Sequence, residues 1–389
     1  MSNRTKFIEH LKLQYPEISP EMIESLVAEN MISDFSIVLP IEVLTSLKKT
    51  VKSFHSLRTS KAYQDKMRAR QEQLQIKDCG HFSVMMSFDF HLNAENKPKL
   101  IEINTNAAFH LLGIEMYQAL KQQQSWSPFQ RLNFKDMFEA EFRLSSGSSD
   151  RQLKNLLITD EVPEQQRLYL EFLAYKELFK SFGWQAEIVD TAQIQKTKPV
   201  DFIYNRNTDF YFQNSQTATL KELSFSGATC VSPHPYEYLL LADKERMIEW
   251  GKDQYLESCD IPDEDINHIR SALPQTVPLS SATKDELWVA RKNLFFKPMR
   301  AFGSKQSYKG ASMSRKAFES LIDQETLAQE YINAPTVTFE TASGPQEFKF
   351  DLRCYTYQDE IQSIVARIYQ GQVTNLKTPH GGFAPVIFN

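Results

Sequence analysis

Apolar residues recur at helical spacing through IEHLKLQYPEISPEMIESLVAEN and again through PIEVLTSLKKTVKSFHSLRTSKAYQDKMRARQEQL. Residues 1–76 are therefore predicted to form a helical region that serves as scaffold or cover. The period then changes. SVMMSFDFHL and KLIEINT read as strands on either side of the turn sequence AENKP, which predicts a hairpin over 80–106. The polar run RLSSGSSDR closes this second unit, 77–150.

Over 151–245 short apolar runs alternate with helical patterns. Strands are predicted at Leu156-Leu-Ile-Thr-Asp160, Gln185–Asp190, Asp201–Arg206 and Ala228–Ser232, and an amphipathic helix between the first two ends at Gly183. This order predicts a small parallel sheet, which binds ligands at its strand ends. No GxGxxG follows its first strand, so a dinucleotide cofactor is not expected. From 246 to 389 the pattern gives Leu294–Pro298, the Gly/Ser/Lys loop AFGSKQSYKGAS, and the strands LAQEYI, EFKFDLRCYTY and SIVARIY. The preceding YEYLLLADKERMIEWGKDQYLE reads as helix. The fold class is α/β (α+β), with residues 284–334 as a small mobile lid.

Composition narrows the class. The 389 residues are 41% hydrophobic, enough for two or three structural units with sizeable cores, and the net charge is −5. Mixed charge gives no nucleic-acid surface. No apolar run approaches the roughly 20 residues that span a bilayer, and the first residues lack a signal-peptide core. Cys79, Cys230, Cys259 and Cys354 are scattered without CxxC pairing, so neither a disulfide framework nor structural zinc is expected. A cytoplasmic protein is predicted.

The hairpin carries the sharpest chemistry. Side chains alternate along a strand, so Glu102 and Asn104 share a face that Asp89 on the partner strand can reach. Two carboxylates and an amide oxygen suit Mg²⁺ whose shell is completed by phosphate. The plain alternative is a polar hairpin face. An acid set among Leu100, Ile101 and Ile103, however, is usually partnered. Lys297 ends an apolar strand just before the loop that holds Gly303, Ser304 and Lys305, whose small residues would let backbone amides approach phosphate. The pattern is not GxxxxGK[ST], and alone it reads more often as a basic turn. Arg353 and Arg367 lie on adjacent predicted strands beside apolar neighbours. They imply either an anionic partner or internal salt bridges. Asn375, Gly381 and Gly382 follow in a loop where backbone could come close to a ligand.

Taken together, these elements resemble an ATP-grasp ligase. Lys297, the Gly303–Gly310 loop, Gln329-Glu330-Tyr331-Ile332, Asp351-x-Arg353, Arg367, Asn375 with Gly381-Gly382, and Asp89 with Glu102-x-Asn104 all match that superfamily in kind. The acidic spacing is like that of D-alanine–D-alanine and tubulin–tyrosine ligases, and KFDLRCY looks like the strand of the latter. The order differs: here the acidic hairpin lies in the first third of the chain, which implies circular permutation. Ile101-Glu-Ile-Asn-Thr105, Ala107-Ala-Phe109 and Phe295-Phe-Lys-Pro298 resemble eukaryotic-type glutathione synthetase and the synthetase part of glutathionylspermidine synthase. The Gly-Ser-Lys loop departs from the glycine triplet of the former.

The resemblance implies ATP and Mg²⁺ as cofactors and a carboxylate–amine ligation through an acyl phosphate. Asp89, Glu102 and Asn104 would hold the metal. Lys244, Lys297, Gly303, Ser304, Lys305 and Asn375 would meet the nucleotide, with Gln329, Glu330 and Ile332 at its hinge. Arg353 and Arg367 would act in catalysis, and Arg206, Asn106, Gly381 and Gly382 would face the substrate. Arg206 lies in Phe202-Ile-Tyr-Asn-Arg206, which resembles a strand whose arginine holds a peptide carboxylate. The expected partners are small-molecule carboxylate and amine substrates, and a homodimer is compatible with the chain. Two other readings remain at this stage: an ATP-binding regulator with little turnover, and a ligase that modifies protein termini.

Overall fold

The computed structural model describes residues 1–389 other than 125, 197, 300–306 and 373. In chain order its strands are β1 Ile37–Leu39, β2 Met86–Leu92, β3 Pro98–Asn104, β4 Asn155–Asp160, β5 Gln185–Asp190, β6 Phe202–Asn205, β7 Cys230–Ser232, β8 Thr276–Pro278, β9 Leu294–Pro298, β10 Tyr308–Lys309, β11 Thr326–Glu330, β12 Thr336–Thr341, β13 Gly344–Tyr357, β14 Glu360–Tyr369 and β15 Gly382–Phe388. The helices that frame the site are α1 Asn3–Gln14, α2 Pro20–Leu26, α3 Ile41–Thr59, α4 Lys61–Leu74, α5 His110–Ala119, α6 Asn133–Ser146 and α7 Tyr169–Ser181.

Among the described residues the fold is mixed α/β, with three sheets. The largest has seven strands, ordered β1-β15-β14-β13-β2-β3, with β12 also paired to β13. Alternation along β13 explains its two faces. Phe348, Phe350, Leu352 and Cys354 join a buried cluster with Val43, Leu44, Leu47, Val51, Phe54 and Leu57 of α3. On the other face Tyr355 and Val365 pack with Leu111 and Leu112 of α5. Farther along that same face the positions become Asp351 and Arg353. A helix therefore covers one end of the face and the other end stays polar.

The N-terminal region is helical as read, and serine side chains fix three of its helix starts. Ser2, Ser19 and Ser60 each accept a hydrogen bond from a backbone N–H in the first turn of α1, α2 and α4. It also contributes something the helical pattern did not show. β1 pairs parallel to β15 and forms an edge of the main sheet. Three residues are too few to display a period.

The predicted parallel unit is present as a four-stranded sheet, β5-β4-β6-β7, with every pairing parallel. Its third and fourth strands are shorter than read. The expected helix over 236–257 is broken. A helical turn at Pro235–Glu237 and a π-type turn at Tyr238–Ala242 end at Asp243, and a new helix runs from Glu245 to Trp250. Asp243 makes the break, because its carboxylate accepts from the Glu245 N–H at 3.0 Å and from the Tyr211 hydroxyl. The segment read as a lid, 284–334, carries β9, β10 and β11, which join β8 in a four-stranded antiparallel sheet, β10-β9-β11-β8, with a small core of its own around Leu279, Leu287, Phe296, Phe318 and Ala328. No described helix is long and apolar enough to cross a membrane.

Candidate nucleotide and metal site

A cavity of about 430 Å³ opens between the polar end of the main sheet and the lid sheet. Register sets its floor. Asp89 is opposite Glu102 across β2 and β3, and opposite Arg353 across β2 and β13; Asp351 is opposite Arg367 across β13 and β14. Directly opposed residues point to one face, so four strands present these five charges together. The β2–β3 register skips Ile101, a one-residue bulge between Glu102 and Leu100. The Ile101 carbonyl accepts from Lys297 Nζ at 3.3 Å.

Asp89 is almost fully buried, and its carboxylate is engaged on both sides. Arg353 grips it with Nε at 2.8 Å and Nη2 at 2.6 Å, and Arg367 Nη2 adds a contact at 2.9 Å. Burial alone would raise this carboxyl. Arg353 and then Arg367 outweigh burial and hold it well below the usual carboxylate range. Arg367 also donates to Asp351 at 2.6 Å, and Asp351 accepts from the Thr374 hydroxyl at 2.6 Å. The sequence left an anionic ligand and internal salt bridges both open for the two arginines, and the structure shows internal pairing. Each guanidinium still borders the cavity.

Glu102 and Asn104 line the cavity beside Asp89. Among the described residues no three His, Cys, Asp or Glu side chains come close enough to hold a metal by themselves. Mg²⁺ does not need such a cage. It binds through one or two carboxylates, with nucleotide phosphates and water completing the octahedron. Glu102 and the Asn104 amide are hard oxygen donors at one wall and fit that mode; Asp89, read from the sequence as a third ligand, has both oxygens taken by Arg353 and Arg367.

Lys297 on β9 faces them from the lid. Its Nζ donates to Gln329 Oε1 at 2.8 Å. Burial pushes its pKa down to about 8, opposed by Glu102 and reinforced by Lys244. Lys244, placed by the Asp243 break, lines the same cavity, as do Gln329, Glu330, Ile332 and Asn375. The Asn375 side chain donates to the Gln370 carbonyl at 2.9 Å and accepts from the Lys377 N–H at 3.0 Å, which shapes its own loop. Gly303, Ser304 and Lys305 fall outside the described residues.

The four residues read as facing substrate do not border this cavity. Arg206 is buried against the Asn106 and Ala107 carbonyls, at 2.7 and 2.9 Å, and Asn106 donates back to the Arg206 and Asn207 carbonyls. Gly381 and Gly382 are needed for close approach within the chain itself. A Cβ on Gly381 would lie 2.6 Å from the Ile368 carbonyl oxygen, and one on Gly382 would lie 2.4 Å from that of Asn30.

Several lining residues were not singled out from the sequence. His91 follows Asp89 at the next same-face position of β2, and its Nδ1 donates to the Ile332 carbonyl at 2.9 Å. Period-two alternation from Asp89 could have found it. Arg167 and Leu168, from the connection between β4 and α7, form another wall together with Leu376 and Phe383. The strand-end rule pointed to the parallel sheet's C-terminal edge, but nothing in the sequence selected this loop over the one after β6.

No family model matches the chain, and no curated protein matches it. Solved structures do. A glutathione synthetase-like effector (GSS30) from Globodera pallida, in its apo form, aligns over 92% of this chain and 90% of its own, at 11% identity with a TM-score of 0.56. A protein assigned as a gamma-glutamylcysteine synthetase from Methylobacillus flagellatus aligns over 88% and 87%, at 11% identity and a TM-score of 0.48. The ATP-grasp ligase PsnB aligns over 61% of this chain and 90% of its own, at 11% identity and a TM-score of 0.30. The chain therefore shares its fold with the glutathione synthetase-like effector over most of both chains.

Proposed function

We propose that this chain is an ATP- and Mg²⁺-dependent ligase that joins a carboxylic acid to an amine, with ADP and phosphate as by-products. An amino acid or short peptide is the expected acid or amine. One observation carries the reading: Glu102 and Asn104 on the sheet face Lys297 on the lid across a cavity that Arg353 and Arg367 also border. Hard oxygen donors and cations thus border one volume, which supports a phosphoryl-transfer reading.

Glu102 and Asn104 would hold Mg²⁺, which would supply charge neutralisation at the phosphates. Lys244 and Lys297 would bind the phosphates. The buried Lys297 takes full charge when it meets them. Arg353 and Arg367, pre-oriented by Asp89 and Asp351, would stabilise the phosphoryl group as the substrate carboxylate attacks it. They would then stabilise the tetrahedral centre formed when the amine attacks the acyl phosphate. Because the side chains are already fixed by buried pairs, little reorganisation accompanies the step. The hairpin's place early in the chain, beside strands from its end, supports the circularly permuted order.

The test is an ADP-release screen with Mg-ATP over amino acids, short peptides and polyamines, with mass analysis of the products. Acid- and amine-dependent ADP release with a condensed product supports the ligase. Nucleotide binding with no acceptor-dependent turnover supports a regulator instead, and a mass shift on an added protein supports a terminus-modifying ligase.

A further inference from the structure

Lys244 owes its place to an irregular stretch of chain. A π-type turn covers Tyr238–Ala242, and the Asp243 N–H closes it on the Tyr238 carbonyl at 2.8 Å. Such turns are rare and often mark functional sites. Asp243 ends the turn. It is almost fully buried, and its two carboxylate oxygens have different partners. Oδ1 accepts from the Glu245 N–H at 3.0 Å, at the start of the next helix, and Oδ2 accepts from the Tyr211 hydroxyl. Lys244 lies between Asp243 and Glu245 and lines the cavity, where its charge acts on Lys297.

Tyr211 comes from elsewhere in the chain. It follows β6 of the parallel unit, directly after Phe210. Phe210 stacks on Tyr238 with ring centroids 4.3 Å apart and planes within 7°, and Tyr211 meets the same ring edge-on at 5.1 Å. Two rings and a hydroxyl thus hold the turn at its start and just past its end. The segment that presents them is itself fixed. The Phe212 N–H bonds the Asp209 carbonyl at 3.0 Å, and the Asp209 carboxylate accepts from the Asn214 N–H at 2.7 Å and the Thr217 hydroxyl at 2.6 Å. Phe212 stands there at φ 51°, which a bulky side chain adopts only when its surroundings hold it.

We infer that Tyr211 is a positioning residue for the phosphate-binding lysine: its hydroxyl fixes Asp243, Asp243 fixes the break in the helix, and the break sets Lys244 at the cavity. Tyr211 does not border the cavity, so it acts only through these neighbours. Without the hydroxyl a buried carboxylate oxygen loses that donor, and the turn shifts to recover one. The inference rests on the cavity being an ATP site and adds what places one of its cations.

The test is calorimetric titration of the full chain with Mg-ADP, for wild type, Tyr211→Phe, Lys244→Met and the double variant. Tyr211→Phe removes one hydroxyl and keeps the ring against Tyr238. It should weaken Mg-ADP binding at least about fivefold, and beside Lys244→Met it should cost nothing further within about twofold. A residue that only supports the fold would not show this dependence on Lys244. Phe210→Leu removes the stack and keeps the hydrogen bond. Its smaller loss should also vanish beside Lys244→Met, and it carries the test if Tyr211→Phe does not fold. A Tyr211→Phe protein that binds Mg-ADP like wild type overturns the inference. So does a loss that persists in full beside Lys244→Met, because the tyrosine would then act elsewhere. Wild type that binds no Mg-ADP overturns the underlying ATP-site reading, and this inference with it.

Discussion

Asn106 and Arg206 hold each other's backbone. The Asn106 amide donates to the carbonyls of Arg206 and Asn207 at 3.1 and 3.2 Å, and Arg206 Nη1 donates to the carbonyls of Asn106 and Ala107 at 2.7 and 2.9 Å. This exchange fastens the segment after β3 to the C-terminal edge of the parallel sheet. Arg206 is buried, and Glu171 and Asp160 act on its charge. Its removal leaves carbonyls and acids without that partner. Arg206→Ala should therefore cost about 3–5 kcal/mol of stability, read by urea denaturation. Unchanged stability combined with a raised KM for the organic substrate would return Arg206 to the carboxylate-anchoring role that its strand-end position suggested.

Asp89 and Glu102 face one another across the hairpin and should respond differently to loss of charge. Asp89→Asn strips the partner from two buried guanidinium groups, and a loss of about 3 kcal/mol is expected. Glu102→Gln should melt close to wild type yet lose Mg²⁺-dependent nucleotide binding. Parallel thermal melts and Mg²⁺ titrations of the two variants check the contrast, which disappears if Glu102→Gln binds Mg-nucleotide normally.

If the cavity takes a nucleotide, as proposed, Lys297 should make binding take up a proton. Its pKa is about 8 in the free protein, below the ordinary 10.5, and nearby phosphates would raise it. Around pH 9 the free side chain is mostly neutral and the bound one charged. Affinity should thus fall as pH rises through 8, with uptake approaching one proton near pH 9. Linkage gives the sign for stability as well. The folded state binds fewer protons than the unfolded between pH 8 and 10.5, so this group makes the fold relatively more stable as pH rises across that window. Calorimetry at pH 9 in buffers of different ionisation enthalpy measures the uptake, and Lys297→Met should abolish it.

Gly382 has φ 107° and lies against the Asn30 and Met31 carbonyls. Gly382→Ala should cost more than about 1 kcal/mol, measured by thermal melting. A variant at wild-type stability would show that the two segments separate without penalty.

The sequence disclosed the elements whose pattern is local. The β2–β3 hairpin follows from alternation around AENKP, where Asn93 caps the turn by accepting from the Glu95 and Lys97 N–H groups. The parallel unit follows from strands alternating with helices. What depends on contacts between distant segments was not legible. Ile37–Leu39 is too short to show a period, and only its pairing with β15 makes it a strand. The same holds for Arg206: an arginine at a strand end looks identical whether it meets a ligand or a carbonyl about a hundred residues earlier in the chain. Gly381-Gly382 signalled close approach correctly in kind, but the object approached is the chain's own backbone.

Arg353 and Asp89 are separated by 264 residues, and the strand carrying one lies directly beside the strand carrying the other. Until the last strands are made, β2 has an open edge and Asp89 has no counter-charge. A chain made only as far as β12 therefore holds a buried-type acid without Arg353 to neutralise it, and the site assembles only once β13 is present. Any fragment stopping before β13 would lack the paired charges that line the cavity, however well its helices fold.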